Sequence, residues 1–160
     1  MIQHHPFLPL YDENAEILIL GSFPSVKTRE VNFFYGHPQN RFWQVIAAVF
    51  GSETPQSVQE KKEFIFAHKL AIWDVLSSCY IENSADSTIK RAKANDLSNI
   101  FENADIKKIF VNGRAAEKYY TNLIEPKLKR KAVYLPSTSP ANASYSLEKL
   151  IKEWQIIKRK

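Results

Sequence analysis

Three stretches of the sequence gather the residue types that could do chemistry: GSFPS at 21–25, YGHPQNRFW at 35–43 and LPSTSPAN at 135–142. The first two lie at the ends of one long segment, 21–41, which carries Pro24, Pro38, Gly36 and three consecutive aromatics without helical or strand periodicity. Segments of this kind are functional or disordered. The apolar surface of Phe33, Phe34, Tyr35, Phe42 and Trp43 argues against disorder. The segment therefore reads as an active-site loop whose tools are flat rings and hydrogen bonds. Residues 21–25 contain no carboxylate, and the hydroxyl of Ser22 is a poor base at neutral pH. The amide of Asn40 can orient a water; it can equally cap a helix beginning at Arg41.

Other chemistries find little support. Cys79 is the single cysteine, so there is no internal disulfide and no thiolate cluster for a metal. His4 and His5 lack partners at ligand spacing and read as an incidental, flexible terminal pair, so no metal is expected. With no Walker-type lysine loop and no G-x-G-x-x-G turn, no nucleotide cofactor is indicated. The N-terminus has no basic segment followed by an apolar one, and no apolar run approaches a membrane span, which fits a soluble cytoplasmic protein with no membrane partner. The formal charge of +5, bunched at 90–93, 127–131 and 158–160, suits a polyanion such as nucleic acid, and equally suits solvated faces and a frayed tail.

The elements that must position the loop alternate between strand and helix. At 160 residues and 44% hydrophobic, the chain is expected to form one domain, 1–160. Apolar runs predict strands at 16–20, 70–76, 108–112 and 132–135. Helical spacing predicts helices at 42–50, closed by Gly51, at 58–68, opened by a capping box at Ser57 and Glu60, and after Gly113. A last helix from 146 places Leu147, Leu150, Ile151, Trp154 and Ile157 in one stripe. The polar stretch 90–103 reads as a further helix with Asp96 as its cap. This alternation predicts an α/β fold, a three-layer α/β/α sandwich around a four-stranded, mainly parallel sheet. Ligands of such sheets bind beyond the strands' carboxyl ends, where segments 21–25, 74–78, 112–115 and 136–142 ought to meet.

These three motifs resemble the uracil-DNA glycosylase superfamily, most closely its hypoxanthine-DNA (DNA-deoxyinosine) glycosylases, with matching element order over almost the whole chain. The H-P-x-N-R-F-W segment is also shared with mismatch-specific uracil and thymine glycosylases. Two departures stand out: many relatives have Asn or Asp at the position of Ser22, and His or Asn at that of Ser137. The resemblance implies a DNA repair enzyme without cofactor, acting as a monomer on damaged DNA and hydrolysing the N-glycosidic bond of a flipped deaminated base.

Such a site needs a held water on one side of the sugar and donors toward the departing base. With Ser22 in place of an acid, the resemblance moves the water-positioning role to Asn40. It makes Tyr35 the aromatic that stacks on the flipped base, with Phe23 a second stacking candidate; a core aromatic is the alternative. Asp74 would touch the base edge and select purines, or cap the turn after Trp73. Asn112 would line the same pocket. Ser25, Ser137, Ser139 and Asn142 would contact DNA, and Tyr145 could be the wedge that fills the vacated space. His37 could donate to the base or a phosphate, or hold the loop, and Ser144 or Ser146 caps the last helix. A uracil or thymine mismatch glycosylase and a non-catalytic DNA-binding module of the same fold remain as other classes.

Overall fold

The computed structural model describes residues 2–82 and 88–158. The strands are β1 (Ile2–His4), β2 (Ile17–Gly21), β3 (Leu70–Asp74), β4 (Leu76–Tyr80), β5 (Lys90–Ala94), β6 (Lys108–Asn112) and β7 (Val133–Leu135). The helices are α1 (Val26–Val31), α2 (Phe42–Val49), α3 (Val58–Ala67), α4 (Ser98–Asn103), α5 (Arg114–Tyr119), α6 (Glu125–Leu128) and α7 (Leu147–Trp154). A π turn at Tyr120–Ile124 joins α5 to α6.

Four strands form the parallel centre in the order β3-β2-β6-β7, as the apolar runs predict. Strand alternation sends Leu18 and Leu20 to one face and Ile19 to the other, and all three are fully buried. On the first face they meet Ile100, Ala116 and Tyr120. On the second they meet Phe42 and Ile46 of α2, Ile65 of α3, and Leu150 and Trp154 of α7. Helices therefore cover both faces, which is the α/β/α sandwich. Ser57 and Glu60 make the expected reciprocal capping box at the start of α3. None of the helices among the described residues is long and apolar enough to cross a membrane.

Four local expectations are corrected. The second strand stops at Asp74 instead of running to residue 76, because the chain bends at Val75 and Leu76 already begins β4. The chain then enters a separate antiparallel sheet ordered β1-β4-β5. Residues 90–94 are strand β5, not helix: the edge of β4 offers N–H and C=O partners that outweigh helix propensity, and only Ser98–Asn103 is helical. The cap position is Leu97, not Asp96, which accepts from the Ser98 N–H at 2.9 Å from just outside the helix. The loop 21–41 is not irregular throughout, since Ser25 caps the short helix α1 by accepting from Thr28 N–H at 3.1 Å. Finally, Leu147 opens the α7 stripe half in solvent, at 37% exposure. Of the basic C-terminal run at 158–160, residues 159 and 160 lie outside the described residues.

Candidate active site

Strands β2, β3, β6 and β7 all end at one cavity of about 200 Å³. Gly21, Asp74, Asn112 and Ser137 bring the four expected segments together there, and Tyr35, His37 and Asn40 wall it from the long loop. Sites for drug-sized ligands usually measure roughly 300–1,000 Å³, so this volume suits a single planar ring system better than a whole cofactor. Ser22, Phe23, Ser25 and Ser139 also line it, while Asn142 and Tyr145 do not. Among the described residues no three His, Cys, Asp or Glu side chains form a metal-binding group.

All three tryptophans of the chain anchor the cavity's surroundings. Trp43, Trp73 and Trp154 donate their indole N–H groups to the carbonyls of Phe34, Phe7 and Pro136, at 3.0, 2.9 and 2.9 Å. The long loop, the N-terminal segment and the start of the 136–145 loop are thereby each tied to a core side chain.

Asn40 stands just ahead of α2, and its Oδ1 accepts from Phe42 N–H at 2.9 Å. The cap position of α2 is Arg41, so Asn40 does not cap the helix as expected but holds its first N–H from one residue further out. That bond also fixes the plane of the amide at the cavity wall and leaves the oxygen a second lone pair. His37 accepts from Gln39 N–H through Nδ1 at 3.1 Å, so a neutral ring carries its proton on Nε2 as a donor. Thr28, 4% exposed, accepts from His37 N–H and from the Ser25 hydroxyl, joining α1 to the rest of the loop.

The base of the cavity is polar and buried. Asn112 donates to Thr138 Oγ1 and accepts from Thr138 N–H, both at 3.1 Å, and its Nδ2 also lies 3.4 Å from the Tyr35 hydroxyl. Tyr35 takes a left-handed backbone conformation (φ 53°) and stacks on Phe42 at 3.9 Å between centroids. Burial, then the neighbouring Asp74 charge, hold its phenol well above the usual range, and the Asn112 bond pulls in the opposite direction. The hydroxyl is a donor at all physiological pH. Asp74 approaches Gly21 so closely that a Cβ there would stand 2.4 Å from Oδ1, so any larger residue would displace the carboxylate. Gly113 likewise needs its φ of 96° and the space beside Ser137.

The second loop is held from both sides. Arg41 donates to the carbonyls of Tyr145 and Asn142 at 2.6 and 3.1 Å, and its own N–H bonds Thr138 O at 3.1 Å. Ser137 accepts from Ser139 N–H and Ser139 from Ala141 N–H, while Asn142 donates to Ser137 O. Asn142 thus shapes the loop from outside the cavity. Tyr145 is half-buried against the α2 and α7 core, with Lys149 4.4 Å over its ring, and the exposed tip is at Ala141, Ala143 and Ser144. Ser146, not Ser144, caps α7.

His5 departs most from expectation. It is not a flexible end: its side chain is 2% exposed and its Nε2 lies 2.7 Å from Asp74 Oδ2. Nothing local in the sequence marks it, because its partner is 69 residues away. Arg41, Thr138 and Phe34 were also not singled out in the sequence. Arg41 sits inside the HPQNRFW motif, which is the signal that could have found it.

A doubly covered parallel sheet whose strand ends enclose a ring-sized cavity defines an α/β domain with its ligand site beyond the carboxyl ends of the strands. The chain belongs to the uracil DNA glycosylase superfamily, whose family model matches residues 8–158. A relative from Methanosarcina acetivorans named hypoxanthine DNA glycosylase is 35% identical over 158 residues, covering 96% of each chain. A protein of the same name from Methanosarcina barkeri is 34% identical over 116 residues, covering 71% of this chain and 73% of its own. A solution NMR structure from Methanosarcina acetivorans, described as a candidate uracil DNA glycosylase, is similar with a TM-score of 0.81. It is 29% identical and covers 99% of this chain and 100% of its own.

Proposed function

We propose that this DNA glycosylase releases hypoxanthine from deoxyinosine in DNA, with Asn40 holding the attacking water. The observation that carries the proposal is the Asn40 amide, locked by Phe42 N–H at the wall of a cavity whose lining includes one carboxylate, Asp74. The names of the two Methanosarcina relatives support the choice of base.

The flipped base enters the cavity between the aromatic rings of Phe23, Phe34 and Tyr35. As the C1′–N9 bond breaks, its electron pair leaves with the purine, which spreads the charge over N3 and N7 and takes up a proton. Water oriented by Asn40 bonds to C1′ and gives up a proton. A weak acceptor is enough here, because a purine leaves more readily than a pyrimidine. His37 Nε2–H is a donor toward the departing base or a phosphate. Ser22, at the cavity wall, contributes a hydroxyl to the same water or sugar. Ser25, Ser137 and Ser139 of the cavity lining contact the DNA, with Asn142 and Tyr145 in the loop that Arg41 holds.

The test is single-turnover base release from inosine-containing duplexes. Asn40→Ala is expected to bind DNA normally and to release base at least about a hundredfold more slowly, the scale of losing one key polar group. Near-normal turnover sinks the assignment. Uracil release is the second reading, favoured by the NMR neighbour's description, and a panel of inosine, uracil, xanthine and thymine mismatches separates the two. Binding without release of any base selects the non-catalytic alternative.

A further inference from the structure

The pairing of Asp74 with His5 reaches beyond that assignment, because residue 5 precedes the family match at 8–158. Asp74 is 7% exposed at its side chain, and Oδ2 is bonded to His5. Among the described residues its Oδ1 makes no hydrogen bond, and Asp74 lines the cavity beside Gly21 and Tyr35. One oxygen is therefore held from behind while the other is left for a ligand.

The rear contact is strongly built. His5 Nδ1 lies 3.1 Å from the Phe7 N–H and 3.0 Å from the Phe7 carbonyl. Opposite an ionised Asp74, a neutral ring accepts from that N–H, and a protonated ring donates to that carbonyl. In both states the Nε2 hydrogen points at Asp74. Rings of Phe7, Phe23, Phe34 and Trp73 pack around the imidazole at 5.4, 6.0, 6.3 and 6.0 Å between centroids. The segment itself is fastened by pairing of β1 with β4, by His5 N–H to Ser77 O at 2.7 Å, and by the Leu10–Ile72 bridge.

We infer that His5 is a positioning residue for base selection: it holds Asp74 with Oδ1 turned into the cavity, as an acceptor for an N–H on the base edge. This rests on the purine-selector role of Asp74. Hypoxanthine offers N1–H flanked by one carbonyl and a C–H, so a carboxylate gains a bond against a single repulsive neighbour. Uracil and thymine offer N3–H flanked by two carbonyls, which a carboxylate repels on both sides. Removing the His5 donor leaves Oδ2 buried and unpartnered, and the carboxylate must turn or take a proton. Either change loses the selective acceptor.

The experiment measures single-turnover release of hypoxanthine and of uracil from matched duplexes and takes their ratio. Asp74→Asn is expected to lower the preference for hypoxanthine at least about tenfold, the scale of one charge-assisted hydrogen bond. His5→Phe, which keeps a ring among its aromatic neighbours but has no donor, is expected to lower it comparably. His5→Gln, which keeps a donor, should stay within about threefold of wild type, and His5→Phe added to Asp74→Asn should change nothing more. A collapsed ratio in Asp74→Asn with a wild-type ratio in His5→Phe overturns the role of His5 and leaves the selector standing. An unchanged ratio in Asp74→Asn overturns the selector, and the role of His5 with it. If His5→Phe does not fold, isotope-edited imidazole spectra of the wild type decide. A slowly exchanging Nε2 proton that moves in Asp74→Asn supports the role, and its absence overturns it.

Discussion

The strands on either side of β2 both end in a buried polar side chain, and the structure uses the two in opposite ways. Asn112, at the end of β6, has its amide oxygen and nitrogen both engaged by Thr138 and a third contact to Tyr35. Asp74, at the end of β3, is held through one oxygen by His5 and offers the other to the cavity. Burial alone does not distinguish a residue that reads a ligand from one that holds the frame. On the proposed role of Asp74, the number of its hydrogen-bonding atoms already occupied does.

Three substitutions break or sharpen that contrast. Asn112→Ala removes both bonds to Thr138, which is 0% exposed, and is expected to cost about 3 kcal/mol in urea or thermal unfolding. The hypoxanthine-to-uracil ratio should not move. A changed ratio with unchanged stability would make Asn112 a reader and erase the difference. Gly21→Ala drives a methyl group to within 2.4 Å of Asp74 Oδ1 and is expected to cost about 2 kcal/mol. Here the base preference should fall as it does in Asp74→Asn, although no charge has been removed. Retained preference would mean that the direction of the carboxylate does not matter. Thr138→Val keeps the shape and removes one acceptor, while Asn112 retains the Thr138 N–H and Tyr35. A loss of about 1 kcal/mol in the same unfolding experiment, with no effect on preference, is expected.

The frame was legible in the sequence because it is written in local periodicity. Leu18, Ile19 and Leu20, or Ile109, Phe110 and Val111, are apolar in succession because helices cover both faces of their strands. The capping box at Ser57 and Glu60 is likewise local chemistry. Residues 90–94 were not legible: what makes Lys90, Arg91 and Lys93 a strand is the open edge of β4, a partner that no window around them contains. The site divides in the same way. Asn40, Tyr35, His37, the serines and Asp74 were candidates through the resemblance of their motifs to the family's, and the structure lines one cavity with Asn40, Tyr35, His37, Asp74 and Ser22, Ser25, Ser137 and Ser139. His5 and Thr138 act through partners 69 and 26 residues away, so their roles exist only once the sheet has formed.

Arg41 carries a mechanical consequence. Its guanidinium grips the carbonyls of Asn142 and Tyr145, its backbone holds Thr138, and its neighbour in the chain is Asn40. The loop that would press into the DNA and the amide that would hold the water are therefore ends of a single lever. On the proposed function, a push on residues 141–144 by the duplex would reach Asn40 through one side chain and would set the position of the water before any bond breaks.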